Sequence, residues 1–252
     1  MSTNYHTFAY VYDKFMNNIP YQEWAQYLKE LFQQYNIPSG NLVELGCGTA
    51  TLALLLEAQG YCITGVDNSE DMLSLASEKL TANHHIQLIL QDMCELDLPN
   101  YYDGIYCVCD SLNYLLSEEE IAYTFQGVRN HLKENGIFIF DLKTIHFYQN
   151  ILGDQIFCDH QEDCSYIWEN SFFEEDNVNQ YDLTLFVKQS QSNLYEKFNE
   201  VHHQRGYELE EIIDLLNVTG LEYVTAYDAF TSNPPTATSK RIYIIARNGD
   251  IL

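Results

Sequence analysis

The chain is 252 residues long, with 46% hydrophobic and 19% charged residues, a composition that buries a sizeable core and excludes collagenous and disordered classes. Lys and Arg number 12 against 37 Asp and Glu, a formal charge of −25, which repels phosphate backbones and anionic membrane surfaces and so disfavours a nucleic-acid substrate. The cysteines, Cys47, Cys62, Cys94, Cys107, Cys109, Cys158 and Cys164, form no disulfide framework. The first residues carry no basic-then-apolar leader, and no apolar run reaches the about 18 residues of a membrane span. These features predict a cytoplasmic protein with reduced thiols and no membrane partner.

In chain order, Tyr5–Met16 is aromatic and Tyr21–Tyr35 carries Trp24, Leu28, Leu31 and Tyr35 at helical spacing. Residues 1–36 thus read as an N-terminal helical lid. Leu42–Leu45, bounded by Ser39-Gly40 and Gly46, predicts a buried strand. A helix over Leu52–Glu57 stops at Gly60, and a strand over Cys62–Val66 and a helix over Ser69–Leu80 come next. Strands over Ile86–Leu90 and Asp103–Val108, a helix over Glu118–Leu132 and a strand over Ile137–Phe140 complete the alternation. Such alternation argues for a parallel sheet covered on both faces. From about Gln155 the pattern changes: Tyr166–Phe173, Tyr181–Lys188 and Leu194–His203 are strand-like and separated by polar turns, the mark of an antiparallel unit. A helix over Leu209–Asn217 and strands over Tyr223–Ala226 and Arg241–Ala246 then resume. The expected organisation is one doubly wound α/β domain, residues 37–150 and 207–252, interrupted by an antiparallel β insertion, residues 151–206, over the active site.

The most informative stretch is Val43-Glu-Leu-Gly-Cys-Gly-Thr-Ala50. A strand enters a turn holding Gly46, Cys47 and Gly48, and a helix follows. Glycine lets a backbone approach a ligand closely, and a helix N-terminus favours negative charge. Asp67 stands just after the second strand, at the spacing of about 20 residues where a carboxylate takes ribose hydroxyls; its alternative role is to cap the helix near Ser69. The dinucleotide fingerprint asks for a third glycine where this chain has Thr51, so a pyrophosphate ligand loses support. Asp92, in Gln-Asp-Met, follows the third strand, and Asp110, in Asp-Ser-Leu-Asn-Tyr, follows the fourth. Carboxyl-end loops of parallel strands converge on one crevice.

These motifs, with Gly-Val-Asp-Asn-Ser-Glu-Asp-Met-Leu at 65–73, Tyr-Asp-Gly-Ile at 102–105 and Leu-Lys-Glu-Asn-Gly-Ile-Phe-Ile-Phe-Asp at 132–141, resemble those of class I S-adenosylmethionine-dependent methyltransferases. Tyr12-Asp13-Lys-Phe-Met and the β-rich insertion are similar to a bacterial subgroup that includes sugar-amine N-methyltransferases. The resemblance implies a mostly parallel seven-stranded Rossmann-like sheet, S-adenosyl-L-methionine as cofactor and S-adenosyl-L-homocysteine as product. It implies that the backbone of Gly46, Cys47 and Gly48 holds the methionine part and that Glu44 ties this loop down. Asp67 is then the ribose ligand, with Asn68 beside the adenine, Asp92 at the adenine amino group, Met93 packed on it, and Asp110 opening the loop towards the acceptor. Tyr5 and Tyr12 would close over the cofactor.

Methyl transfer from an activated sulfonium needs placement more than covalent help. Some sugar-amine relatives carry a histidine where this chain has Tyr114, a departure that weighs against an amino-sugar acceptor. Tyr114 and Tyr12 are the candidate catalytic residues; Asn113, Tyr114, His203 and Arg205 are the candidate acceptor contacts. Adjacent strand residues point to opposite faces, so only one of His202 and His203 can face the crevice, and cross-strand pairing is the structural alternative. Neither Cys158-x-His160 with Cys164 nor Cys107-x-Cys109 has zinc spacing, and no metal is expected. The expected function is methylation of a small-molecule N or O acceptor; a tRNA or protein methyltransferase, or a non-catalytic S-adenosylmethionine-binding regulator, is the alternative.

Overall fold

The computed structural model describes residues 20–189 and 192–249; the expectations on Tyr5 and Tyr12 lie outside them. In chain order the elements are α1 (Tyr21–Gln34), β1 (Gly40–Leu45), α2 (Thr51–Glu57), β2 (Tyr61–Asp67), α3 (Glu70–Lys79), β3 (Ile86–Leu90) and β4 (Tyr102–Cys107). Next come α4 (Glu118–His131), β5 (Leu132–Lys143), β6 (Ile156–His160), β7 (Cys164–Phe173), β8 (Val178–Lys188) and β9 (Tyr195–Arg205). The last three are α5 (Leu209–Thr219), β10 (Leu221–Asp228) and β11 (Arg241–Asn248). Short 3₁₀ turns occur at Met93–Glu95 and Ser111–Tyr114, and a π-helical segment at Phe147–Leu152 joins β5 to β6.

Seven strands form one sheet in the order β10-β11-β5-β4-β1-β2-β3. The pairs β1–β2, β1–β4, β2–β3 and β4–β5 are parallel, and β11 runs antiparallel to both β5 and β10. The order reverses beside β1, so the loops after β1 and β4 diverge there and leave a crevice at the carboxyl ends of the strands.

Both faces of this sheet are buried, which explains its nearly continuous apolar strands. Period-two alternation sends Val43, Leu45, Ile105, Phe138, Phe140 and Ile244 to one core, where Ile121, Phe125 and Val128 of α4 and Ile212 and Leu216 of α5 pack. Leu42, Ile63, Tyr106, Ile139, Tyr243 and Ile245 face the other core, covered by α1, α2 and α3. Helix α1 buries Trp24, Ala25, Leu28, Leu31 and Phe32, which makes residues 21–34 a packed layer helix.

Strand β5 starts at Leu132, directly after α4, earlier than the apolar run at Ile137 suggests. Asn135 takes φ +62° next to Gly136, and the ladder to β4 shifts register between the Tyr102–Leu132 and Gly104–Ile137 pairs. The extra residues form a bulge, so polar Lys133, Glu134 and Asn135 belong to a strand that their sequence does not announce.

The second sheet is a four-stranded antiparallel meander, β6-β7-β8-β9. Its inner face carries Cys164, Tyr166, Trp168 and Asn170 of β7, opposite Val187, Leu185, Leu183 and Tyr181 of β8. On β9, Glu200, His202 and Gln204 pair with Leu183, Tyr181 and Asn179 and so share that face.

Phe32 fills the space above Gly104: a Cβ there would lie 2.5 Å from the Phe32 ring and 2.9 Å from Leu42. Gly104→Ala is therefore expected to lower stability by about 1–3 kcal/mol through overpacking, read as a lower urea midpoint with an unchanged slope. A midpoint equal to that of the wild type would show that α1 can move away from the sheet without cost.

Candidate functional site

The loops after β1 to β5 and the inner face of the second sheet enclose a cleft of about 700 Å³. Its floor is the glycine turn. Gly46 and Cys47 donate backbone N–H to Val66 O at 2.8 and 3.0 Å, which pins the turn to β2. Gly46, Gly48 and Ala50 all have positive φ, at +70°, +51° and +58°. The two glycines serve different ends. A Cβ on Gly46 would stand 2.6 Å from Ser111 Oγ, whereas one on Gly48 would meet nothing within 4 Å. The Gly46 position thus admits the loop after β4, and the bare backbone at Gly48 borders open space.

Asp67 ends β2 and uses one oxygen for the loop after β1 and the other for the loop after β2. Its Oδ2 accepts from Gly48 N–H at 2.7 Å and its Oδ1 from Ser69 N–H at 2.9 Å. Burial pushes its pKa up while these N–H donors hold it down. Each carboxylate oxygen has two acceptor positions, so fixing the loop does not exhaust it. The cap of α3 is Ser69, whose Oγ accepts from Met72 N–H at 3.3 Å. Asn68, Asp92 and Met93 line the same cleft; Asp92 accepts from Cys94 N–H at 2.8 Å to start its 3₁₀ turn.

Glu44 lies beneath the glycine turn and is buried. It accepts from the Tyr106 hydroxyl at 3.1 Å and from the backbone of Ala53, so it ties β1 to β4 and α2. Burial raises its pKa from near 4.5 up to about 8, with the Asp67 charge adding to the rise and the Tyr106 and Ala53 donors opposing it.

Behind the cleft lies a buried charge network. Asp141 of β5, with no exposure, accepts backbone N–H from Cys109 at 3.1 Å and Asp110 at 2.8 Å. Both donors have left-handed backbones, φ +63° and +56°. Arg241 bridges Asp141 at 2.5 Å and Asp110 at 2.7 Å and lies 5.2 Å from the Trp24 ring. Asp110 also takes Lys143 at 2.9 Å and the Gln204 amide at 2.8 Å. Burial alone would raise its pKa, but Lys143 and Arg241 outweigh that and hold the carboxyl at about 2. Asp110 is therefore an ionised strut whose oxygens serve the protein.

The roof is aromatic. Tyr166, Trp168, Tyr181, Leu183, His202 and Gln204 face the cleft from β7, β8 and β9. Trp168 and Tyr181 meet edge to face at 5.1 Å. Gln204 Oε1 accepts from the hydroxyls of Tyr181 at 2.6 Å and Tyr148 at 3.1 Å.

The structure brings Glu44, Gly46, Cys47, Gly48, Asp67, Asn68, Asp92, Met93, Asp110 and Tyr114 together on one cleft. Tyr114, 48% exposed, meets the His202 ring edge to face at 5.9 Å. It does not bring in three others. Asn113 is fully buried: its amide donates to Lys143 O and Arg205 O, and its Oδ1 accepts from Lys143 N–H. His203 lies on the outer face of β9 with Gln180 at 3.3 Å, because pairing of His202 with Tyr181 puts the even-numbered residues inside. Arg205, on that same outer parity, pairs with Glu211 at 2.7 Å and donates to Leu116 O. Sequence reading did not single out Trp168, Tyr181, Gln204, Lys143 and Arg241, and of the two adjacent histidines weighed for the crevice it named His203, where His202 lines the cleft. Among the described residues no group of three or more His, Cys, Asp or Glu could hold a metal ion, and no helix is long and apolar enough to cross a membrane.

Residues 42–136 match the model of a methyltransferase domain. The chain is 35% identical over 245 residues to a Geobacillus sp. (strain WCH70) protein named as a methyltransferase, covering 96% of this chain and 99% of that one. A crystal structure of an S-adenosylmethionine-dependent methyltransferase from Clostridium acetobutylicum superposes with a TM-score of 0.84 at 28% identity, over 98% of this chain and 99% of that one. The sugar N-methyltransferase KedS8 from Streptoalloteichus sp. superposes with a TM-score of 0.78 at 18% identity, over 95% and 93% of the two chains, a likeness of fold.

The raised pKa of Glu44 sets a sign for the pH dependence of stability. Between about pH 4.5 and 8 the folded state holds a proton at Glu44 that the unfolded chain releases, so this contribution falls as pH rises through that window. Glu44→Gln is expected to flatten the stability profile from pH 5 to 8.5 in urea titrations. Parallel profiles for the two proteins would reject the assignment.

Proposed function

We propose a small-molecule acceptor for this chain, which belongs to the class I S-adenosylmethionine-dependent methyltransferases and takes its methyl group from that cofactor. The residues present fit the cofactor. The bare backbone at Gly48 borders open space, a carboxylate with spare acceptor positions ends β2, and Asp67 and Asp92 line the cleft, an environment that suits a sulfonium cation.

In this reading the backbone of Gly46–Cys47–Gly48 cradles the methionine part, and Asp67 receives the ribose hydroxyls. Asn68 and Met93 flank the adenine, and Asp92 accepts from its amino group. Bound S-adenosylmethionine supplies an activated methyl group. The protein's part is to align acceptor and methyl and to exclude water, and such placement lowers a barrier by about 7–11 kcal/mol in well-oriented cases. Tyr114 and the roof residues Tyr166, Trp168 and Tyr181 supply the walls against which an acceptor is positioned, and Asp110 orders the loop that carries Tyr114.

The observation that carries the small-molecule reading is the roof: the second sheet stands over the carboxyl ends of the parallel strands and leaves about 700 Å³, the scale of a pocket for a compact ligand. The net charge of −25 supports it by opposing a phosphate backbone. Incubation with methyl-labelled cofactor, total tRNA, extract protein and the low-mass fraction of the same extract tests it. Label is expected in the low-mass fraction; label in tRNA or protein would overturn the reading, and cofactor binding with label in none of the fractions would return the chain to a non-catalytic, cofactor-binding role. Asp67→Ala is expected to weaken S-adenosylhomocysteine binding by about 10- to 100-fold, the loss of a charged hydrogen-bond acceptor worth about 1.5–3 kcal/mol, in a calorimetric titration. Unchanged affinity would reject the ribose role.

A further inference from the structure

We propose that the acceptor is an amine on a flat or apolar body, and that His202, held by Glu200, takes the proton which that amine must lose. The inference rests on the reading of the cleft as the acceptor site.

His202 lies on the inner face of β9 and lines the cleft. Its Nε2 is 3.0 Å from Glu200 Oε2. Glu200 is 9% exposed, and its Oε1 has no hydrogen-bond partner among the described residues. A buried carboxylate with an unmatched oxygen is costly to keep, and the ring nitrogen of His202 is the partner of its other oxygen. The pair has the arrangement a proton acceptor needs: a carboxylate fixes the ring and stabilises the imidazolium once formed, as in other histidine bases. Among the described residues, the groups around the ring include Glu200 and Gln204 on its own strand, Tyr181 as its cross-strand partner, and Tyr114 from the 3₁₀ turn. The Tyr181 hydroxyl is engaged by Gln204, and Gln204 is in turn joined to Asp110.

The charges of the cleft select among acceptors. Its cations, Lys143 and Arg241, are already paired with Asp110, and Arg241 with Asp141 as well, so a carboxylate or phosphate acceptor meets neutralised partners. An ammonium meets the aromatic rings of Tyr114 and Trp168 in the lining, which attract cations, within a strongly anionic protein, while the Tyr181 ring already has Lys143 Nζ 5.8 Å from its centroid. The same ammonium has no free electron pair. Transfer of its proton to a ring nitrogen of His202 yields an imidazolium beside Glu200 and frees the pair on nitrogen. That pair forms the new N–C bond to the transferred methyl, the pair of the broken C–S bond stays on sulfur, and the imidazolium returns its proton to water.

The experiment uses the full chain with S-adenosylhomocysteine bound and three probes that share one body: 2-phenylethylamine, 2-phenylethanol and 3-phenylpropionate. Shifts of the His202 and Tyr114 resonances give the affinities, and ¹⁵N imidazole spectra give the ring tautomer. The amine is expected to bind about tenfold more tightly than the alcohol or the acid. With labelled cofactor, His202→Gln is expected to lower its methylation about 100-fold while leaving amine and S-adenosylhomocysteine affinities within about threefold, and to remove the acidic limb of the rate profile. Glu200→Gln should change the His202 tautomer, with recovery in Glu200→Asp. Tighter binding of the acid or the alcohol overturns the amine assignment. Undiminished turnover in His202→Gln overturns the base, and an unmoved His202 spectrum in Glu200→Gln overturns the positioning role. S-adenosylhomocysteine binding with no probe entering the cleft overturns the acceptor-site reading beneath them.

Discussion

Two consecutive non-glycine residues, Cys109 and Asp110, stand in left-handed conformations at the end of β4, and their N–H groups converge on the buried carboxylate of Asp141. A left-handed backbone costs roughly 1–2 kcal/mol per residue, and charge-assisted hydrogen bonds to a carboxylate offset a cost of that size. Arg241, arriving on an antiparallel neighbour of β5, neutralises both Asp141 and Asp110. Everything between floor and roof hangs from this arrangement. It turns Asp110 towards Lys143 and Gln204, and Gln204 gathers the Tyr148 and Tyr181 hydroxyls. Loss of one member would strand a buried charge, which is far more damaging than never having built the pair.

The cleft is consequently divided by kind of interaction. Its floor offers carboxylates and bare backbone, groups that read hydroxyls, amines and positive charge. Its roof offers ring faces and one imidazole–carboxylate pair. The cations that stand between them are neutralised by their own neighbours, so the field that reaches a ligand is set by the acidic floor and by the protein's overall charge.

Much of this was legible before any coordinates. The parallel sheet announced itself because strands buried on both faces are apolar throughout, and Gly46, Gly48, Asp67, Asp92 and Asp110 follow strand ends that topology forces together. The roof was harder to read. His202 and His203 are adjacent and chemically identical, and only the register to Tyr181 decides which one enters the cleft. No local pattern in β9 gives that parity, since its polar residues lie on both faces. Arg205 had the right chemistry for an acceptor contact and the wrong parity. Asn113 is next to Tyr114 but turns inward to close the seam between Lys143 and Arg205. Arg241 is far from Asp110 in sequence, and a lone arginine on an edge-side strand carries no signal of the carboxylates waiting for it. The bulge at Asn135 hid the start of β5 because its residues are polar, although Asn-Gly is a frequent marker of a left-handed step.

Covalently the roof is joined to the α/β domain through the π-helical segment after β5 and the short Gly206–Tyr207 passage into α5, with Gln204 adding a hydrogen bond to Asp110. Its inward side chains come from a meander whose small core, around Cys164 and Leu185, is its own. A substitution at Trp168, Leu183 or Tyr166 thus redraws the ceiling without disturbing a residue of the glycine turn. Floor and ceiling form a chassis with an exchangeable lining: one half keeps its glycine turn and carboxylates fixed by the parallel sheet, and the other is free to be re-cut within an unchanged architecture.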